Sequence, residues 1–400
     1  MADFRPTAAL RNDLLAWFDR HKRDLPWRRT RDPYAIWVSE VMLQQTQVAT
    51  VIPYWKRFLE RFPDVTALAQ AELPEVFALW RGLGYYSRAR NLHRAAQAIV
   101  STHGGKLPSD AAALLKLPGF GRYTAGAVAS IAFGEAAPLV DGNVARVFSR
   151  LFLVEGAPGD RAREKKLWAL AEEAVALGKR PGDWNQALME LGATVCRAEH
   201  PSCLLCPVRS RCGAFAHGRV DELPLARVRA ARQAMQVAVA VCRRGETFLF
   251  ARRAEGGLFG GLWELPSVEV TPGASHAQMA DALVRALGSS ARVGASLGAV
   301  KRVLTHRALT LELFEVELAR LRAMPSVQEW RWATAAEADR LGMSTAMAKA
   351  FALARDAGQR TVRVSGSRRR GSKVSVARPP RRRPRGAATG PMLKERRADP

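Results

Sequence analysis

Cysteine is scarce in this 400-residue chain and unevenly placed: of five, four lie between Cys196 and Cys212, and Cys242 stands alone. No disulfide framework can span a fold with that distribution, and the cluster reads as a metal-binding loop in a reducing compartment. Long apolar runs are missing as well. No segment holds about 18 uninterrupted apolar residues, which argues against a membrane span. The stretch Met1–Leu10 lacks a basic start followed by an apolar run and carries Asp3, so no signal peptide is expected. Acidic residues are few, 37 against 62 Lys and Arg, for a formal net charge of +25. That imbalance points to a polyanionic partner, although many basic surfaces are only solvated faces. About half of the excess lies from Arg360 onward, where fourteen Lys or Arg face only Glu395 and Asp399.

What is present divides the chain. Apolar residues recur at helical spacing through 7–217, notably in Leu10–Phe18, Ile36–Leu59, Leu92–Val100, Thr124–Ala132, Val144–Leu153 and Asn185–Val195. This predicts a mostly α domain. A basic linker with Pro224 follows over 218–232. Short, partly alternating runs at Gln236–Cys242, Phe248–Arg252 and Leu309–Leu318 then read as strands. With helices expected at Ala277–Leu287, Ala335–Leu341 and Ala346–Ala354, they make 233–357 an α+β domain. From 358 to 400 the composition collapses to Arg, Pro, Gly and Ser. Too little apolar surface remains there to offset ordering, so a disordered basic tail with some non-specific attraction to nucleic acid is expected.

Three local patterns carry chemistry. Cys196, Cys203, Cys206 and Cys212 are spaced C-x6-C-x2-C-x5-C. Four thiolates in one loop can wrap a four-coordinate ion or a cubane cluster; only one short knuckle is present, and the long first gap suits the larger object. Cys242 reads as a small buried strand residue. The run Leu117-Pro118-Gly119-Phe120-Gly121 precedes a helix near Tyr123, whose free amides suit a phosphate, or merely connects two helices. Glu40 sits among Ile36, Trp37, Leu43 and Gln44, where desolvation would raise its pKa towards that of a general acid, or where it is only a buried, satisfied carboxylate. Asp141 stands at a helix start, as an N-cap or as an anion facing a sugar cation.

Longer runs resemble one family. Trp27-Arg28 and Ile36 through Thr46, Gly82 through Leu92, Val140 through Val144 and Asn185 through Ala193 are similar to the signatures of MutY-type adenine glycosylases, within the helix-hairpin-helix glycosylase superfamily. The resemblance implies a helix-hairpin-helix domain whose cysteines hold a [4Fe-4S] cluster, with Arg197, Arg209 and Arg211 available to DNA. It makes Glu40 the acid that protonates adenine and Asp141 the stabiliser of the sugar cation, supported by Tyr123 and Asn143. Arg28 and Gln186 would recognise a flipped adenine. Gln45, Thr46, Leu83 and Tyr85 would probe the opposite base, with Leu83 and Tyr85 expected on an exposed loop, and Gly119 and Gly121 would approach the backbone. Endonuclease III-type lyases carry a Lys where Tyr123 stands, so a monofunctional glycosylase is implied; a phenol cannot form the Schiff base.

The second domain, with Arg253, Gly256-Gly257 and Gly261 through Pro266, resembles the Nudix-like lesion-reading domain of the same proteins. Its metal-binding helix signature is missing, because Ala277–Leu287 has only Asp281 as an acid. Where the family often has Phe-Ser-His, this chain has Leu304-Thr305-His306, so Thr305 and His306 remain as readers without the aromatic. The implied partner is duplex DNA with adenine opposite 8-oxoguanine or guanine. The protein is expected to act as a monomer, off the membrane, and its Ala- and Arg-rich composition is compatible with a bacterial cytoplasm near the nucleoid. The runner-up readings are a bifunctional endonuclease III-like enzyme and a non-catalytic DNA binder with a structural cluster.

Overall fold

The computed structural model describes residues 4–226 and 231–367, of which 358–367 by their backbone only. The first part is helical: α1 (Ala8–His21), α2 (Pro33–Leu43), α3 (Val48–Arg61), α4 (Val65–Gln70), α5 (Leu73–Trp80), α6 (Tyr86–His103), α7 (Ala111–Leu114), α8 (Arg122–Phe133), α9 (Gly142–Leu151), α10 (Arg161–Ala176), α11 (Pro181–Thr194) and α12 (Gly213–Ala216). Aspartate side chains start many of these. Asp32, Asp64, Asp110, Asp141 and Asp160 each accept from backbone amides of the first turn, satisfying donors that the helix itself leaves free. The helix expected over Ile36–Leu59 is two helices, α2 and α3, broken at Gln44–Gln47. Apolar periodicity runs through the break, which is why spacing alone did not reveal it; Gln45 adopts φ 56°.

Two apolar clusters fill this domain. One gathers Trp37, Phe58, Phe62, Phe77 and Trp80; the other gathers Phe18, Phe148, Trp184 and Leu188. Two helices run along the seam. From α2, Trp37, Val38, Val41 and Met42 enter the first cluster and Ile36 the second. From α8, Ala125 and Val128 enter the first and Ala127 and Ile131 the second. A helix buried on all sides has no solvent face on which to park a polar residue. Whatever polar groups α2 and α8 carry must therefore find partners inside.

The second part is α+β. Strands β1 (Gln233–Val241), β2 (Arg243–Arg244), β3 (Thr247–Arg253), β4 (Trp263–Glu264) and β5 (Ser267–Val270) are followed by α13 (His276–Leu287), β6 (Ala291–Val303), β7 (Arg307–Leu318), β8 (Val327–Thr334), α14 (Ala335–Ala338) and α15 (Thr345–Ser367). One sheet has the order β5-β1-β7-β6, with β1 and β7 parallel. In the other, β3 pairs with β2, β4 and β8. Strands β6 and β8 were not expected from the sequence. β6 is an edge strand half open to solvent, and its small residues Gly294, Ala295 and Gly298 carry no alternating apolar signal.

Helix α15 continues to Ser367, into the stretch expected from 358 as a tail. Its start is anchored by Ala346, Met347, Ala350, Phe351 and Ala354 in the core, and extending an anchored helix costs far less than nucleating one. Residues 368–400, where the rest of the tail was expected, and 227–230 of the linker lie outside the described residues.

The two parts touch directly. Tyr86 Oη donates to Met343 O at 2.7 Å in a buried contact, and Leu262 belongs to the first apolar cluster. A Cβ on Gly342 would lie 2.6 Å from Phe77 Cβ, so the backbone must approach bare.

Candidate active site

Glu40 is the polar residue that the seam has to accommodate. It is 4% exposed and accepts a hydrogen bond from Tyr123 Oη at 2.5 Å, across from α8 to α2. Burial pushes its pKa up to about 7; the Tyr123 bond opposes this, Asp141 adds to it and Arg28 opposes it. The carboxyl is thus poised to be a proton donor at neutral pH, as its apolar neighbours suggested. Tyr123 is itself pushed well above the ordinary phenol range, by burial first and then by the Glu40 and Asp141 charges, so it stays a donor.

Asp141 is the helix cap that its position announced. One oxygen caps α9, accepting from Val144 N at 2.7 Å, and the other accepts from Asn143 Nδ2 at 3.1 Å. Burial raises its pKa while these bonds and Arg146 hold it down. Asn143 in turn accepts from Arg146 Nη2 at 2.8 Å, and Arg146 Nε donates to Cys196 O at 2.8 Å. A proton donor and a fixed second carboxylate, electrostatically coupled across one site, form a set able to protonate a leaving group and stabilise a cation left behind.

Beside them, Arg28 Nε donates to Gln186 Oε1 at 3.2 Å and Arg28 Nη2 to Glu190 Oε2 at 2.9 Å. Glu190, fully buried, also receives Arg23 Nε at 2.7 Å. Burial pushes its carboxyl up, but the Arg23 and Arg28 bonds outweigh this and hold it below the usual range. Sequence reasoning assigned Glu190 no role. The available signal was its spacing: on α11 it lies four residues after Gln186, on the same face.

The four loop cysteines converge. Cys196, Cys203, Cys206 and Cys212 line one small cavity, with Val147, Leu191 and Arg150. All are free thiols. Burial, then the neighbouring cysteines, push Cys206 up to about 12, and Cys212 is raised for the same reasons. Arg150 Nη1 reaches Cys196 Sγ at 3.4 Å, while its other nitrogens hold Leu223 O and Ala198 O. Among the described residues no group of three or more His, Cys, Asp or Glu is placed to hold a metal ion.

Residues 38–173 match the model for the HhH-GPD superfamily of base excision DNA repair proteins, and residues 237–353 match that for the NUDIX domain. The adenine DNA glycosylase of Mus musculus is 38% identical over 434 residues, covering 95% of this chain and 83% of that protein; that of Homo sapiens is 39% identical over 409 residues, covering 87% and 74%. The chain belongs to the adenine DNA glycosylase family. Among solved structures, this glycosylase is similar to a thermostable thymine-DNA glycosylase at 30% identity, with 52% of this chain and 96% of that one covered and a TM-score of 0.47.

The remaining expected residues of the glycosylase lie on exposed loops, with one correction. Gln45, Tyr85, Thr305 and His306 are exposed, and the hydroxyls of Tyr85 and Thr305 touch across the two domains. Thr46 is half-buried. Leu83 is not on the surface: it is 6% exposed and packs in the first core cluster, held by its amide on Trp80 O at 3.1 Å. Gly82 and Gly84 shape the turn without lifting Leu83 out of it. In the hairpin, Gly119 is required by φ 76° and by Asn91 Cβ, 2.4 Å from where its own Cβ would be. Gly121 has ordinary backbone and open space around it, so nothing inside the protein demands a glycine there.

Proposed function

We propose that this enzyme flips adenine out of duplex DNA and hydrolyses its N-glycosidic bond where the opposite base is 8-oxoguanine or guanine, without cleaving the strand. Extrusion is needed because the sugar–base bond is out of reach within a stacked duplex. Protonated Glu40 gives its proton to the adenine ring, the bond from the ring nitrogen to the sugar carbon breaks, and adenine leaves neutral. Asp141 faces the resulting sugar cation. Water adds to that carbon, and its proton passes to a carboxylate. Arg28, Gln186 and Glu190 present donors and an acceptor for the edge of the flipped base. Tyr123 supplies no amine, so no Schiff base forms.

The observation that carries this reading is the buried Glu40, with its carboxyl near pKa 7 and Asp141 beside it. Thr305 and His306 are assigned to the base opposite, with Gln45, Thr46 and Tyr85 at the same mispair. The Gly119–Gly121 hairpin is assigned to the DNA backbone. We place catalysis in 7–217 and lesion reading in 233–357, in a cytoplasmic monomer.

The cysteine cavity is assigned a [4Fe-4S] cluster. The donor set suits that group: four free thiols line one cavity, and one sulfur already has an Arg150 N–H beside it. Cys196, Cys203, Cys206 and Cys212 would hold it as thiolates. When bound, the cluster supplies the ligand bonds that fix the loop. Purified protein is expected to contain iron and inorganic sulfide, and Cys206→Ser to lose them.

The deciding experiment is single-turnover adenine release from duplexes with 8-oxoguanine, guanine or thymine opposite. Release opposite 8-oxoguanine is expected to be fastest and to collapse in Glu40→Gln, with duplex binding retained. No release from any duplex would remove adenine as the substrate.

A further inference from the structure

Arg88 lies in one of the family-like runs, yet nothing above gives it work. The residue is 9% exposed. From Nη1 it donates to Val41 O at 2.9 Å, Met42 O at 2.9 Å and Gln44 O at 2.5 Å. From Nη2 it donates to Leu83 O at 3.1 Å, Gly84 O at 3.1 Å and Thr46 Oγ1 at 3.3 Å. Burial pushes its pKa down to about 10, so it remains a cation at neutral pH. Among the described residues it makes no ion pair with a carboxylate; the rings of Trp80 and Tyr85 face its guanidinium at 5.4 and 5.6 Å. Desolvating a cation for carbonyls, one hydroxyl and two aromatic rings, with no carboxylate to pair it, is expensive, and a site that does so needs a reason.

The reason lies in what the fork joins. One arm caps the C-terminal carbonyls of α2 and fixes the break that carries Gln45 and Thr46. The other fixes the turn that leads into Tyr85. Gln45 at φ 56° and Tyr85 at φ 47° are both left-handed, a conformation that side chains rarely hold without support. The Tyr85 hydroxyl meets Thr305 of the second domain, and its ring lies 5.6 Å from the guanidinium. At the other end, Val41 directly follows Glu40. One planar group therefore spans the distance between the loop assigned to the opposite base and the helix carrying the acid.

We propose that Arg88 is a positioning residue that couples reading of the base opposite adenine to Glu40, by holding the 44–46 break and the 83–85 turn in one register. This rests on the function proposed above. Lysine at this position keeps a charge but has no planar fork to serve both segments.

The test is single-turnover adenine release opposite 8-oxoguanine and opposite guanine, by the full chain and its Arg88→Lys, Thr305→Ala and doubly substituted forms. Arg88→Lys is expected to slow release opposite 8-oxoguanine by about 100-fold and opposite guanine by much less, narrowing the ratio of the two rates. The double variant should narrow the ratio no further than Thr305→Ala does. Equal slowing on both duplexes, or multiplicative narrowing in the double variant, overturns the proposal in favour of a merely structural arginine. If thermal unfolding shows that Arg88→Lys does not fold, Thr46→Val removes one acceptor of the same fork and is read by the same ratio. Hydrogen exchange keeps the two readings apart. Arg88→Lys should speed exchange at 44–46 and 83–85 together, whether or not adenine is the substrate; faster exchange in only one segment overturns the coupling.

Discussion

Glu40 shows how one residue can be costly to the fold and, in the function proposed, necessary to the site. Its folded pKa, about 7, lies above the ordinary 4.5. Between those values the folded chain holds a proton that the unfolded chain has released. Stability from this group is therefore fully present below about pH 4.5 and is lost as pH rises towards 7, by roughly 3 kcal/mol at order of magnitude. Glu40→Gln should remove that loss. Urea unfolding is expected to show the variant more stable than the parent at pH 8 and similar to it at pH 4.5; equal stabilities at pH 8 would refute a desolvated Glu40. Adenine release by the parent should decline above about pH 7 as the acid ionises. At this scale much was legible in the sequence. An acidic residue among Ile36, Trp37 and Leu43 announces desolvation, and Asp141 before Gly142 announces a cap. Leu83 was misplaced because its neighbouring glycines signal a turn without saying which side chain the turn buries. Glu190 was overlooked because its importance arises from Arg23 and Arg28, which lie 167 and 162 residues away in the chain.

At the scale of elements, the hairpin separates two kinds of glycine. Gly119→Ala meets both the left-handed backbone and Asn91, and should cost about 1–3 kcal/mol with weaker duplex binding, as read by thermal unfolding and fluorescence anisotropy. Gly121→Ala has room and should leave the melting temperature nearly unchanged while still weakening binding, since only an approaching backbone would notice the methyl. Unaltered affinity in Gly121→Ala would take Gly121 out of the DNA contact. Helices such as α9 and α13 were readable from periodicity because one face of each is buried. The break between α2 and α3 was not, because it is made by the Arg88 fork, a contact that local sequence does not encode. Strands β6 and β8 escaped for a related reason: each is defined by its pairing with β7 or β3 more than by its own alternation.

For the whole molecule, charge and domain contact make separate predictions. The chain from 368 onward carries twelve Lys and Arg. Ending the protein at Ser367 should weaken binding to undamaged duplex and flatten the slope of log affinity against log salt, while single-turnover adenine release at saturating enzyme stays within about twofold. A slope that does not change would mean the tail stays off DNA. The domain order was readable in composition, but the contacts between domains were not, since Tyr86 and Met343 meet across 257 positions. The touching hydroxyls of Tyr85 and Thr305 join the two domains at one small polar contact. Under the function proposed above, a base that bonds to Thr305 trades places with the Tyr85 hydroxyl and does not fill a vacant donor. Its net gain would then be the difference between two hydroxyl contacts, a small quantity that either loop can tune.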